Sequence, residues 1–261
     1  MIIAHRDDYG NQQLLYDHLI NVARSSYKLG DGVGLKYSSL LVGILHDWGK
    51  ADPLFQDMIT NNTKASVIHS SARAKYINTL FTNLSFKNDE FNMPICTSYK
   101  EILMYVIEAH HGVFDICSYN SGIRNDLYRR VDYDINNKNY NYNLVEKFAV
   151  SIENFCLKEY KKSLEDICVL GFDEYKKVIN NLLLFKSANS QLELYFYNHC
   201  IMRLLLSILK NEDIYDSVNA SEDIIDRNSE SDRRIIIDDY YKKIEDEYAS
   251  YPEDTEIIYR D

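Results

Sequence analysis

Proline and glycine are scarce in this chain of 261 residues, which contains only 3 prolines and 9 glycines. A β-sandwich needs many tight turns, and tight turns depend on these two residue types, so the composition disfavours that class. Hydrophobic residues make up 46% of the sequence and can supply a substantial core. We therefore expect a compact protein of the all-α class.

Disulfide and membrane signals are also missing. The 5 cysteines form no CxxC pair, which favours a reducing compartment. The segment MIIAHRDDYG carries charges where a signal peptide needs an apolar core, and no apolar run approaches the roughly 18 residues of a membrane span. We expect a cytoplasmic protein without a membrane partner.

Positive charge is in deficit, because the formal net charge is −11. This balance excludes a protein that coats nucleic acid through overall basicity, so any DNA contact must be local. No GxxxxGK[ST] phosphate loop is present, which argues against ATP hydrolysis by this chain.

Helical spacing of apolar residues recurs along most of the sequence. It predicts helices over 11–29, 35–50, 52–59, 69–84, 99–112, 144–165, 173–185 and 192–209. The polar, Asn-rich stretch 115–143 reads as a long loop, which is often functional. We expect one domain over 1–217, followed over 218–261 by an acidic linker and an amphipathic C-terminal helix or tail.

Histidines fall at helix ends in this pattern. His46 and Asp47 lie in the last turn of the second predicted helix, and His110 and His111 end a later one. Two consecutive imidazoles are difficult to bury without shared partners such as a metal or carboxylates. Imidazole suits transition metals and a carboxylate can bridge two cations, so Asp47 is the natural bridge. Lys50 next to such a site can hold a phosphate, although a solvated helix-terminal lysine is the competing interpretation.

The order of YDHL, LLVGILHDWGK, IHSSARA, EAHHG and SILKNEDIYDS resembles the HD nuclease domain of the type I CRISPR helicase-nuclease. That resemblance implies the helical HD-domain fold with a central metal-binding cleft. It implies hydrolysis of single-stranded DNA during antiviral defence, with one or two divalent transition metals: Mn, Fe, Co or Ni, with Mg as an alternative. A CRISPR helicase, fused or separate, and an RNA-guided surveillance complex are the implied partners.

The resemblance also assigns roles residue by residue. It implies a first metal held by His18, His46, Asp47 and Asp213, and a second held by His69, His110 and His111 with Asp47 bridging. Asp47 and Lys50 are the implied catalytic residues, with Lys50 on the scissile phosphate and Ser217 as a supporting polar residue. The family carries a DADxxDT-like run where this chain reads NEDIYDS, so Asp213 aligns best and Asp216 stays open as a ligand.

A basic strip, Arg124, Arg129 and Arg130, is the candidate guide for DNA, with Tyr128 as a stacking residue. The alternative is that these arginines pair with neighbouring aspartates on a solvated surface. His5 and His199 match none of the motifs and are interpreted as structural or surface residues.

Two other functions stay open. A nucleotidase or cyclic-nucleotide phosphodiesterase of the HD superfamily would keep the same metal ligands but need a closed small pocket. A non-catalytic helical interaction module would instead use the acidic tail to bind a basic partner. The chain is either a stand-alone nuclease subunit or part of a longer helicase-nuclease.

Overall fold

A computed structural model describes residues 2–6, 10–61, 71–111, 127, 142–184, 191–219 and 242. The chain divides into two compact units, Met1–Ser221 and Glu222–Asp261. The elements and contacts that follow belong to the first unit. Among the described residues, no helix is long and apolar enough to cross a membrane.

The described part of the chain is mainly helical, which confirms the expected all-α class. Its eight α-helices are α1 (Leu15–Asp31), α2 (Lys36–Leu45), α3 (Pro53–Asn61), α4 (Ser71–Lys87), α5 (Pro94–Ala109), α6 (Tyr142–Tyr160), α7 (Leu164–Leu184) and α8 (Gln191–Asn219). Short 3-10 helices span Trp48–Ala51 and Asp89–Asn92, and a hairpin pairs β1 (Ile3–Arg6) with β2 (Gln12–Leu14).

Helix α2 forms the centre of the fold. Every residue from Ser38 to Leu45 is buried, and the helix packs against α1, α5, α7 and α8. Gly43 lets α1 approach closely, since a Cβ there would lie 2.9 Å from Ala23 Cα. The C-terminal end of this buried helix therefore lies inside the protein, where polar side chains that follow it must find partners.

The 3-10 turn after α2 is anchored by Trp48, which is 1% exposed. Its ring lies 5.0 Å from that of Tyr76 and 6.3 Å from that of Phe148. Anchoring the tryptophan in the core fixes the direction of its neighbours Asp47 and Lys50, which are both buried. The HDWGK segment is thus a packed turn rather than the last turn of the helix that the sequence predicts.

The N-terminal hairpin covers the same region. A β-bulge interrupts the pairing between Ile3 and His5, and bulges commonly redirect a side chain. The side chain of Gln56 joins the hairpin to the turn, because its Oε1 accepts from Ile3 N at 2.8 Å. Its Nε2 donates to Ile3 O at 2.8 Å and to Lys50 O at 2.5 Å.

Helix boundaries differ from the prediction in the C-terminal half. The break between α6 and α7 falls at 161–163, where Lys161 adopts a positive φ of 57°, whereas the sequence predicts it at 166–172. Helix α8 continues to Asn219. Asp213, Asp216 and Ser217 therefore lie on one helix, and their side chains can face one site.

Candidate metal centre

Four helices bring histidine and aspartate side chains together. His18 lies on α1, His46 follows α2, His110 and His111 follow α5, and Asp213 lies on α8. Asp47 is at their centre and is fully buried. The described residues contain two groups whose ligand atoms lie within 4.8 Å of one another: His5, His18, Asp47 and Asp213; and Asp47, His110 and His111.

His18 and His46 face each other across one half of the site. Their Nε2 atoms lie 3.1 Å apart. Asp213 Oδ1 is 3.3 Å from Nε2 of His18 and 3.6 Å from Nε2 of His46. Asp47 Oδ2 is 3.5 Å from each of the same two nitrogens. Ligands held about 2.1 Å from one metal ion lie about 3.0 to 3.4 Å from each other, so this spacing suits a shared cation.

The second oxygen of Asp47 faces a different pair of imidazoles. Asp47 Oδ1 lies 3.4 Å from His110 Nε2 and 3.6 Å from His111 Nε2. The His110 side chain is buried, whereas that of His111 is 40% exposed. One carboxylate thus lies between two pairs of imidazoles. The site is exposed to solvent on the side of His111.

The hydrogen bonds of two imidazoles fix which nitrogen is protonated. His46 Nδ1 donates to the carbonyl of Gly43 at 2.8 Å, and His110 Nδ1 donates to that of Ile107 at 2.5 Å. Because carbonyls only accept, Nδ1 carries the proton in each ring and Nε2 presents a lone pair to the site. Metal-binding histidines have this second hydrogen bond as a rule.

Asp216 orients His18 from outside the cluster. Its Oδ2 accepts from His18 Nδ1 at 2.7 Å and from Gln13 Nε2 at 2.6 Å, and its Oδ1 accepts from Asn21 Nδ2 at 2.9 Å. Both oxygens are thereby turned towards these donors, while Asp213 Oδ1 faces the Nε2 side of His18. Of the two aspartates that the sequence left open, the geometry favours Asp213 as the ligand.

Burial and neighbouring charges shift the pKa values of Asp47 and Asp213 in opposite directions. Burial alone would raise the pKa of Asp47, but Lys50 and the imidazoles, His46 first, lower it well below its usual value. The pKa of Asp213 is lowered as well: burial would raise it, but the neighbouring imidazoles of His18 and His46 outweigh that effect. Both groups are therefore carboxylates at neutral pH, as metal ligands must be.

The imidazoles respond to the same environment. Burial lowers the pKa of His110 to about 4, so this ring is neutral. Burial would also lower the pKa of His18, but hydrogen bonds with Asp213, Asp216 and Asp47 raise it to about 10. A proton on His18 Nε2 would lie between two nitrogens 3.1 Å apart, in the space that a divalent cation would take.

Lys50 belongs to the same site. Its Nζ lies 2.7 Å from Asp47 Oδ2, and the residue is only 4% exposed. The sequence offered a solvated lysine at a helix terminus as the competing interpretation, and burial contradicts it. The ammonium group lies beside the carboxylate that would bridge the cations.

His5 also joins the cluster, which the sequence motifs did not predict. Its Nε2 lies 3.1 Å from Lys50 Nζ and 3.1 Å from Ser217 Oγ, and its ring packs edge-on to that of His18. Burial, and secondarily Lys50, lower the pKa of His5 to about 4. The only sequence signal is its place in a short apolar segment, IIAH, two residues after Ile3. His199, by contrast, is exposed on α8.

The residues present fit a divalent cation. His110 Nε2 is buried and forms no hydrogen bond within the described part of the chain, although it faces Asp47 Oδ1. A polar atom in that situation is costly unless a cation accepts its lone pair. A set dominated by imidazole nitrogens suits Mn, Fe, Co or Ni better than Mg, which prefers oxygen ligands.

Some predicted site residues lie outside the described residues. His69, the remaining proposed ligand of the second metal, is one of them. So are Arg124, Arg129 and Arg130 of the basic strip, together with Tyr128. Their assigned roles stay predictions from the sequence.

No protein-family model matches this chain, and no curated protein is significantly similar to it in sequence. What the site does chemically must therefore be inferred from its own residues. These form a buried group of imidazoles and carboxylates, able to bind divalent cations, beside a lysine.

Proposed function

We propose that this protein is a metal-dependent phosphodiesterase of the HD superfamily that hydrolyses single-stranded DNA as the nuclease of a type I CRISPR system. The observation that carries the proposal is the position of Asp47, whose two oxygens face two different pairs of imidazoles. A carboxylate in that position can bridge two cations, and a pair of cations stabilises both the attacking and the leaving oxygen of phosphoryl transfer. The motif order YDHL, HDWGK, EAHHG and NEDIYDS supports the same assignment.

In this proposal, His18, His46 and Asp213 would hold one cation, His110 and His111 would hold the second together with the predicted ligand His69, and Asp47 would bridge them. Cations bound there supply an activated water and stabilise the charge that develops on the leaving oxygen. The carbonyls of Gly43 and Ile107 hold the protons of His46 and His110 on Nδ1. Each of these two rings thereby presents a lone pair, rather than an N–H group, to the site.

Lys50 supplies a positive charge for the substrate phosphate. Its ammonium lies 2.7 Å from Asp47 Oδ2, and a phosphate next to the bridging carboxylate would be within its reach. His111 is the most exposed of the described ligands, so the strand would approach from that side. An acidic protein can bind DNA in this way because the cations and Lys50 locally offset a net charge of −11.

The partners follow from the resemblance. A CRISPR helicase, fused or separate, would deliver single-stranded DNA, and an RNA-guided surveillance complex would recruit that helicase. The predicted basic strip at Arg124, Arg129 and Arg130 would guide the strand to the metals.

The test compares three proteins on circular single-stranded DNA with manganese or nickel. The wild type is expected to cut the circle, and Asp47→Ala to leave it intact because the bridge is lost. Asp57→Ala is the matched control, since Asp57 is an exposed aspartate on α3. Circular dichroism checks the folding of each variant, and elemental analysis measures its bound metal.

The outcomes separate the candidate functions. Equal cleavage by wild type and Asp47→Ala would reveal a contaminating nuclease. A wild type that binds metal and hydrolyses mononucleotides or cyclic nucleotides, but not DNA, would establish the small-nucleotide phosphodiesterase instead. A purified protein that binds no metal would favour the non-catalytic interaction module.

A further inference from the structure

His5 occupies a position that the hairpin and the central turn define together. The bulge in β1 places Ala4 between the paired residues Ile3 and His5. Gln56 binds both backbone groups of Ile3 and the carbonyl of Lys50. The strand that carries His5 is therefore fastened to the turn that carries Lys50, and the distance between the two side chains is set by the backbone.

The contacts of His5 determine the role of its nitrogen. Nε2 lies 3.1 Å from Lys50 Nζ. An ammonium group only donates hydrogen bonds, so Nε2 must be the acceptor and the ring proton must be on Nδ1. The hydroxyl of Ser217 lies 3.1 Å from the same nitrogen. His5 thus connects a lysine on the central turn to a serine on α8.

Lys50 needs such a second contact. Its ammonium is buried, and its close carboxylate partner, Asp47, is also the proposed bridge between the cations. Cations bound to Asp47 would compete with the Lys50 ammonium group for the negative charge of that carboxylate. A neutral acceptor such as His5 Nε2, 3.1 Å from Lys50 Nζ, keeps the ammonium group in place when cations bind to Asp47.

We propose that His5 is a positioning residue of this site: its Nε2 accepts a hydrogen bond from Lys50 and holds the ammonium group towards the phosphate of a bound DNA strand. This inference rests on the proposed function, and it adds a residue that none of the motifs contains. His5 acts through Lys50 and does not bind the cations itself. The N-terminal hairpin is consequently part of the site.

A double-mutant cycle tests this role. His5→Leu removes the acceptor, His5→Gln keeps a carbonyl oxygen near the position of Nε2, and Lys50→Met removes the ammonium. The fourth protein combines His5→Leu with Lys50→Met. His199→Leu is the matched control, because His199 is an exposed histidine that lies in none of the motifs. Each protein is loaded with manganese, and its metal content is measured before use.

The main readout is the affinity of the manganese-loaded protein for inorganic phosphate, measured by calorimetry, with kcat and KM on a single-stranded oligonucleotide as the second. We expect His5→Leu to weaken phosphate binding by about tenfold, as for a lost hydrogen bond to a charged group. His5→Gln should recover much of that loss. In the Lys50→Met background, His5→Leu should have almost no further effect, and metal content should stay at the wild-type level throughout.

Specific results for the variants would overturn the inference. Loss of bound manganese in His5→Leu would make His5 a ligand, and an undiminished effect in the Lys50→Met background would show that it does not act through Lys50. A wild type that binds manganese and phosphate but cuts no DNA would refute the nuclease, while the phosphate cycle would still decide the role of His5. A wild type that binds neither would refute both.

Discussion

Replacing Asp216 by asparagine is expected to weaken metal binding while leaving the number of bound ions unchanged. Within the described part of the chain, Asp216 has three hydrogen-bond partners, and all are donors: His18 Nδ1, Gln13 Nε2 and Asn21 Nδ2. An asparagine removes the negative charge and turns an N–H group towards at least one of them. His18 then loses the carboxylate that fixes its ring and increases its basicity as a ligand.

The expected loss of metal affinity can be estimated from the position of Asp216, which binds the proposed ligand His18 from outside the cluster. Loss of such an outer partner costs about 10- to 100-fold in metal affinity, or about 1.4 to 2.7 kcal/mol. At a metal concentration of about 100 times the wild-type Kd, bound metal stabilises the wild type by about 2.7 kcal/mol. A tenfold weaker variant would keep about 1.4 kcal/mol of that, so the metal-dependent rise in Tm should fall by about half.

The Asp213→Asn variant is the comparison for Asp216→Asn, because it removes a proposed metal ligand instead of a residue that orients one. Asp213 Oδ1 faces the Nε2 atoms of both His18 and His46, so this variant should lose a bound ion or its tight binding altogether. Calorimetric titration with manganese gives affinity and stoichiometry, and thermal unfolding with and without metal gives the stabilisation. If Asp216→Asn loses an ion while Asp213→Asn keeps the full number, the roles assigned to the two aspartates are reversed.

Two predictions concern the packing of α2, the helix that His46 follows. Gly43→Ala should lower the free energy of unfolding by about 1 to 3 kcal/mol in urea titrations, because the new Cβ would meet the Ala23 backbone at 2.9 Å; a variant as stable as the wild type would contradict the close approach of α1 and α2. Burial raises the pKa of Glu174 from 4.5 to about 7, so its contribution to stability is fully present below 4.5 and is lost as the pH rises through 7. Glu174→Gln, whose carbonyl can still accept from Tyr37 N, should therefore be more stable than the wild type above pH 7 and no more stable below pH 4.5. Urea titrations of both proteins at the two pH values measure this, and a variant less stable above pH 7 would refute the account.

Apolar periodicity was enough to predict the helices, because buried stripes repeat over many turns. Their ends were harder to place. The sequence predicts a break over 166–172, yet Gly171 lies inside α7, where a Cβ would be 3.2 Å from Ser38 N. The glycine there permits close packing against α2. The hairpin went unpredicted because β1 and β2 have only four and three residues, too few for a periodic signal.

The residues of the site were likewise predictable from the sequence only in part. The clustering of His46, Asp47, His110 and His111 could be anticipated, since adjacent titratable residues at helix ends demand shared partners, whereas His18 was assigned to the site by the resemblance. The parts played by Asp216 and His5 could not be anticipated. Each role depends on which face of a helix or strand packs against an element that is distant in the sequence. Tertiary packing, rather than local spacing of residues, decides which face that is.

The two helix ends at the site share one local arrangement, which explains why HDWGK and EAHHG occur where helices stop. His46 and His110 are the C-cap residues of α2 and α5, and each Nδ1 bonds the carbonyl three residues earlier. The last carbonyls of a helix have no intrahelical partner, so the cap histidine satisfies one of them and becomes fixed in a single tautomer. Its Nε2 lone pair is then directed towards the ends of the other helices. The residue after each cap, Asp47 or His111, is thereby brought to the same centre, so a dipeptide at the end of a buried helix supplies two inward-facing groups at once.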